Sequence, residues 1–164
     1  MEILVATIAD IEALTKVEID SKLQSFVSNE EVAIDYDTRL YRWNTYFRGL
    51  SPASAKPERV VYKAVIHDQI VGYIAGHLTG RYDKDAEIQS FYVLRDQQRS
   101  GVGTLLLKSL LSWLATQNAK SLCVGIEPHN PYQAFYLKYG GVHLNPHWIC
   151  WDDIKALRAK TDQP

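Results

Sequence analysis

The run from Glu87 to Glu127 constrains this chain more than any other part of it. It begins in a strand-like segment, Ala86–Leu94, and passes through Arg95-Asp96-Gln97-Gln98-Arg99-Ser100 into a helical pattern from Gly101 to Gln117. Val102, Leu105, Leu106, Leu110, Trp113 and Leu114 fall on or near one face of that helix. A second apolar strand, Ser121–Ile126, follows. A strand, helix and strand of this length form a crossover unit, so the two strands are predicted to run parallel.

The segments before this unit have a different pattern. Ile3–Ile8 is a short β-branched strand, and Asp10 can cap a helix that runs to about Leu23, with Ile11, Leu14, Val17 and Ile19 apolar. Residues 30–48 read as a second helix rich in aromatics, closed by Gly49. Ser51 to Pro57 is predicted as a loop. Arg59–Ile66, Ile70–Leu78 and Ala86–Leu94 are separated by short turns and predict an antiparallel meander. Beyond the crossover come a short helix, Asn130–Tyr139, and a strand, Val142–Trp151, broken near Pro146. A last helix follows from Asp153 to about Ala159, with Asp152 as its cap.

Composition narrows the functional classes. The chain has 164 residues, 46% hydrophobic and 23% charged, which suits one domain with its own core, residues 1–164. No apolar run reaches the ~20 residues of a membrane span, and the acidic start lacks a signal-peptide n-region. The net charge of -1 gives no footprint for nucleic acid or for a membrane surface. Residues 1–50 hold 5 Lys/Arg against 9 Asp/Glu, and residues 51–120 hold 9 against 6. That asymmetry suits a cationic substrate beside an anionic ligand, and ordinary surface variation would also produce it. Two cysteines, Cys123 and Cys150, form no disulfide framework, so a reducing cytoplasm is the default location, with a bond between them left open. The five histidines show no ligand spacing, and no metal is expected.

The junction at Gln98-Arg99-Ser100-Gly101-Val102-Gly103-Thr104 is an anion site by construction. The first turn of a helix has N–H groups without helical acceptors, and its dipole favours negative charge. Glycines at 101 and 103 leave the backbone open to a pyrophosphate. A Walker loop needs Gly-Lys-Ser/Thr, which is absent, and a dinucleotide fingerprint needs a third small residue where Leu106 stands.

This loop resembles the Gln/Arg-x-x-Gly-x-Gly/Ala segment of the GNAT acetyltransferase family, with Gln98, Gly101 and Gly103 in its fixed positions. A second block, Asn130-Pro131-Tyr132-Gln133-Ala134-Phe135-Tyr136-Leu137-Lys138-Tyr139-Gly140-Gly141, is similar to the family's Asn…Phe-Tyr-x-Lys-x-Gly segment. Gly141 departs from the Phe that many members carry. The likeness is close from Ala86 to Gly141 and looser before it. It implies an α/β (α+β) single domain with a central mixed twisted sheet of six to seven strands flanked by helices. That sheet would be splayed between its fourth and fifth strands, with acetyl-CoA as cosubstrate in the gap. The backbone of Phe91 and Val93 would pair with the pantetheine arm, and the segment from Arg99 to Thr104 would hold the pyrophosphate. Asn130 and Tyr136 would also meet the cofactor.

Acetyl transfer to an amine needs a base, an oxyanion donor and a proton for the departing thiolate. Tyr136 is the candidate acid, since a phenol of pKa ~10 is protonated at pH 7; the competing reading is a core aromatic. Glu87 is the candidate base, set against an ordinary exposed strand glutamate. Arg39 and Trp43, four apart on one helix face, fall where family members wall the acceptor site; the competing reading is core packing plus a solvated charged face. The expected acceptor is a small-molecule or peptide amine. A homodimer is one of the open assembly states. The expected function is an N-acetyltransferase acting by direct attack in a ternary complex. A non-catalytic acyl-CoA-binding or regulatory domain of the same fold is the alternative.

Overall fold

The structure is a computed structural model and describes residues 1–25 and 36–163. One seven-stranded mixed sheet organises it, in the spatial order β1-β2-β3-β4-β5-β7-β6. The strands are β1 (Glu2–Val5), β2 (Ala55–Ile66), β3 (Gln69–Thr79), β4 (Ala86–Val93), β5 (Leu122–Gly125), β6 (Val142–Asn145) and β7 (Trp148–Trp151). The helices are α1 (Ile11–Ser25), α2 (Tyr36–Phe47), α3 (Val102–Thr116), α4 (Gln133–Lys138) and α5 (Ile154–Thr161). β4 and β5 run parallel across α3, as the crossover requires, and every other pair is antiparallel.

Several boundaries differ from expectation for identifiable reasons. β2 starts at Ala55, so half of the predicted 51–57 loop is strand; Ala55 pairs with Thr79 across a register shift, which accommodates Pro57. The first helix is entered through Thr7, whose backbone N–H donates to Asp10 Oδ2 at 2.8 Å, so Asp10 closes a capping box. The final helix is capped by Asp153 rather than Asp152: its Oδ1 accepts from the N–H groups of Lys155 and Ala156. The chain around Pro146 makes a turn between β6 and β7 where one broken strand was expected. Residues 30–35 of the predicted second helix lie outside the described residues.

The two faces of the sheet are packed differently. Against one lie α3 and α5, whose Leu106, Leu107, Leu110, Leu111, Leu114 and Leu157 are buried with Ile74, Ile88, Leu122 and Ile149. Each such side chain contributes about 1.5–3 kcal/mol on burial. α3 approaches β3 so closely that a Cβ at Gly76 would sit 2.7 Å from Leu110 Cδ1. Against the other face lie α1 and α2, with Leu14, Val17, Trp43 and Tyr46 on Val61, Tyr73 and Ala75.

β4 carries the feature that positions the site. Ser90 pairs with Ala75 and Ile88 with Gly76, so Gln89 bulges out of the ladder. Pairing of β4 with β5 covers Ala86↔Leu122, Glu87↔Cys123 and Ile88↔Val124 and goes no further. The bulge therefore marks the point where the two parallel strands part.

Candidate active site

The ladder pattern decides which backbone groups face the gap between β4 and β5. Leu94 N–H donates to Val71 C=O at 2.9 Å, so Tyr92, two residues before Leu94, and Tyr73, two residues after Val71, form the next hydrogen-bonded pair. Phe91 and Val93 then lie at the alternate positions, with N–H and C=O turned away from β3 and into the gap. One of these groups is already engaged: Val93 C=O accepts from Gln98 Nε2 at 3.0 Å. Gln98 thus ties the loop to the end of β4 and sets where the loop lies.

The loop continues in unusual backbone. Arg99 has φ +61° and Gly101 has φ +90° at the N-cap of α3. A Cβ at Gly101 would meet nothing within 4 Å, so that position faces open space. The first helical bond runs from Leu105 N–H to Gly101 C=O at 3.0 Å, which leaves the N–H groups of Val102, Gly103 and Thr104 in the acceptor-free first turn. Ser100 Oγ donates to Gln97 C=O at 2.6 Å, and the Thr104 and Tyr139 hydroxyls bond at 2.8 Å. Arg99 and Ser100 are exposed. An anionic diphosphate and an extended amide chain fit this pairing of helix start and open strand edge.

Tyr136 sits at the same gap. Its ring centroid is 6.4 Å from that of Phe91, 5.8 Å from Phe135 and 5.9 Å from Trp151. Burial, with the Tyr92 phenol nearby adding to it, pushes the Tyr136 phenol well above its ordinary range, so it holds its proton. Gly103 faces this aromatic group, its Cβ position 3.5 Å from Phe135 and 3.6 Å from Phe91. Asn130 accepts from Tyr132 N–H at 2.8 Å through Oδ1, which shapes the turn that launches α4.

Glu87 lies on the opposite face of β4, and it is buried, at 6% exposure, where an exposed strand glutamate was the competing expectation. Arg81 Nε donates to its Oε2 at 3.1 Å, and His77 Nε2 stands 3.4 Å from the same oxygen. Arg81 also stacks over Trp148 at 4.8 Å. A row of aligned residues crosses the sheet here: Arg59↔His77↔Glu87↔Cys123↔Cys150. Tyr46, from α2, covers it, bonding His77 Nδ1 at 3.2 Å, with the Arg59 guanidinium 4.8 Å above its ring. Both cysteines are free thiols and buried; burial first, then Glu87, pushes the Cys123 thiol up to about 12.

Arg39 and Trp43 lie on this second face too, but they do different things. Arg39 pairs with Glu18 of α1, which Lys22 also approaches at 3.3 Å. Trp43 is 5% exposed, edge-on to Tyr73 with centroids 5.1 Å apart. The structure therefore brings together Phe91, Val93, Gln98, the segment from Arg99 to Thr104 and Tyr136 around the gap. It sets Glu87 across β4 from Tyr136 and leaves Arg39 and Trp43 at the α1–α2 seam. Arg81, Tyr46 and His77 were missed as neighbours of Glu87. Folding the β3–β4 hairpin about its turn would have found His77, since Thr79 N–H bonds Asp85 C=O and the pairs count back from there. No cluster of three metal-ligating side chains occurs among the described residues.

Residues 20–141 match the acetyltransferase (GNAT) family. An uncharacterized N-acetyltransferase of Bacillus subtilis (strain 168), YuaI, is 26% identical over 176 residues, spanning 94% of this chain and 94% of that protein. PaiA N-acetyltransferase from Thermoplasma acidophilum, solved in complex with coenzyme A, has TM-score 0.69 and 17% identity, covering 92% of this chain and 98% of its own. A GNAT family acetyltransferase from Brucella melitensis, solved in complex with acetyl-CoA, has TM-score 0.61 and 17% identity, with coverage of 92% and 86%.

Proposed function

The chain belongs to the GNAT acetyltransferase family, and from that premise we propose that it transfers the acetyl group of acetyl-CoA to an amine by direct attack in a ternary complex. The observation that carries this reading is the strand edge of Phe91 and Val93, opened beside the first turn of α3 and capped by Tyr136. Acetyl-CoA supplies an activated thioester acyl group. The N–H groups from Arg99 to Thr104 hold its pyrophosphate, and Asn130 borders the other side. The Phe91 and Val93 backbone holds the pantetheine amides, and an N–H there donates to the carbonyl oxygen as charge builds on it.

The acceptor amine approaches from the α1–α2 side, where Arg39 and Trp43 stiffen the seam that walls it. Its nitrogen forms the new C–N bond, and the C–S bond breaks. Glu87 takes the amine's proton, directly or through a water. Tyr136 gives a proton to the departing thiolate on the far side of β4. A lysine-like amine of pKa ~10.4 is deprotonated in roughly one molecule in a few thousand at pH 7, so a base on the acceptor side removes a barrier of about 4–5 kcal/mol. With Glu87 and Tyr136 on opposite faces, the proton leaves the amine on one side of the strand and reaches sulfur on the other.

The test has two parts. Acetyl-CoA at ~100 times its Kd should stabilise the protein by about 2.7 kcal/mol, read as a rise in Tm. A panel of small amines and peptide N-termini should then include at least one that releases CoA thiol. An unmoved Tm at millimolar acetyl-CoA would refute the cofactor. A raised Tm with no acceptor anywhere in the panel would favour a binding domain over an enzyme.

A further inference from the structure

The polar row opposite α3 holds a histidine that the reaction above leaves unused. His77 is 0% exposed, and its two ring nitrogens have different surroundings. Nδ1 bonds the Tyr46 hydroxyl at 3.2 Å. Nε2 is a buried polar atom without a hydrogen-bond partner, yet it stands 3.4 Å from Glu87 Oε2. A buried ring nitrogen left unbonded has lost its water and gained no partner, which is unfavourable. The fold places it beside a carboxylate because His77 and Glu87 are direct cross-strand partners.

Proton placement follows from the neighbours. Burial pushes the Tyr46 phenol far above its ordinary range, so its O–H is intact and can donate to Nδ1. The neutral Nε2–H form and the imidazolium cation both put a proton on Nε2. The remaining form, Nδ1–H, would set a bare nitrogen lone pair against a carboxylate oxygen in a dry site. A small rotation of the Glu87 carboxylate then completes an N–H···O bond.

We propose that His77 is a positioning residue: its Nε2–H and the Arg81 Nε–H hold Glu87 Oε2 from two sides and leave Oε1 to meet the acceptor amine. This rests on the reading of Glu87 as the base. The other groups that face Glu87 are Tyr46 from α2, Arg81 from the turn after β3 and Cys123 from β5, while Arg59 from β2 lies over the Tyr46 ring. Arg81 remains in place when His77 is changed, so the carboxylate loses one donor of two. A hydrogen bond to the charged form favours that form, so its loss should move the base's titration upward.

The experiment is steady-state CoA release across a pH range with the acceptor found above. It compares wild type, His77→Leu, His77→Gln, Glu87→Gln and the Glu87→Gln/His77→Leu double variant, each checked for its acetyl-CoA-induced rise in Tm. His77→Leu should lower kcat by about 10–100-fold, the scale of a misplaced catalytic group, with KM for acetyl-CoA unchanged. Its acid limb should move to higher pH. His77→Gln, which keeps an N–H donor, should recover most of the rate. In the Glu87→Gln background His77→Leu should cost nothing more. An unmoved pH limb in a folded His77→Leu, or the same loss with and without Glu87, would overturn the role of His77 alone. A Glu87→Gln variant with wild-type pH dependence would overturn the base and the role of His77 with it. Should His77→Leu fail to fold, Tyr46→Phe removes only the hydroxyl on Nδ1. It should give a smaller shift in the same direction, and a wild-type profile there would overturn the proposal.

Discussion

The two faces of the central sheet are built on the same strands and have different chemistry. Under α3 the buried side chains are mostly leucine, isoleucine and valine, many of them fully buried. Under α1 and α2 the packed layer includes Tyr73, Tyr46, His77, Glu87, Glu18 and Arg39, buried or half-buried groups that need partners as well as space. The apolar face tolerates little change in volume, since a missing methylene leaves a void. The polar face tolerates little change in donor or acceptor, since an orphaned group has no water to turn to. Stability should therefore be concentrated on the first face and chemistry at β4, where the two meet.

The largest expected effect is on rate. Tyr136→Phe removes one hydroxyl and keeps the ring against Phe91 and Trp151, so the fold and acetyl-CoA affinity should hold. Turnover should fall by about 10²–10⁴-fold if the hydroxyl protonates the thiolate. Wild-type turnover would return Tyr136 to the apolar core, and an equal loss of affinity and rate would make it a binding residue.

Next comes Leu110→Ala, a change confined to the α3 face. Leu110 is fully buried and touches Gly76 of β3, so unfolding by denaturant should show a loss of about 2–5 kcal/mol. Residual protein that stays folded should keep its pH–rate profile. A shifted profile would mean that the two faces are not separable.

Gly103→Glu tests the meeting point. The new side chain would enter beside Phe91 and Phe135 and bring negative charge to the first turn of α3. The stabilisation of about 2.7 kcal/mol by acetyl-CoA at ~100 Kd should disappear, with the unliganded Tm little changed. A retained ligand shift would move the cofactor elsewhere.

The smallest effect concerns the link between β4 and β5. Asp85 Oδ2 accepts from the N–H groups of Lys120 at 2.7 Å and Ser121 at 3.2 Å. Those bonds, Lys120 first, hold its carboxyl below the ordinary carboxylate range. A depressed folded pKa contributes stability above the unfolded value of ~3.9, and that stability fades as pH falls through the lower folded value. Asp85→Asn should cost under about 1 kcal/mol near neutral pH, reduced by its exposure to solvent, and nothing in strong acid. A pH-independent difference would assign the effect to packing.

These contrasts explain what the sequence disclosed. Apolar spacing in α3 and the glycines at its start are local signals, so the crossover, the parallel pair and the open start of α3 were legible in the sequence. Tyr136 was legible only through its likeness to a family segment; its contacts with Phe91 and Trp151 join three separate elements. The neighbours of Glu87 were hidden for a plainer reason. Tyr46, His77 and Arg81 come from a helix, a strand and a turn, and each looks like an ordinary aromatic, strand or surface residue in its own stretch. Trp43 illustrates the same difficulty, since helical spacing gives a face but not what covers it.

The bulge at Gln89 acts as a phase shift in the message of β4. Before it, even-numbered residues turn their backbone groups toward β5; after it, odd-numbered residues do. Side chains switch in step, so Ile88 and Phe91 share a face although they are three positions apart. Substitution at Gln89 would leave that phase intact. Drawing Gln89 into a regular ladder would not: Ser90 through Val93 would each slip one place and turn to the other side of the sheet, Ser90 taking the place of Phe91 opposite Ile74. The chain would keep all of its letters and lose the placement of Phe91 and Val93 at the open edge, which makes the register of this strand a more guarded property than the identity of most residues within it.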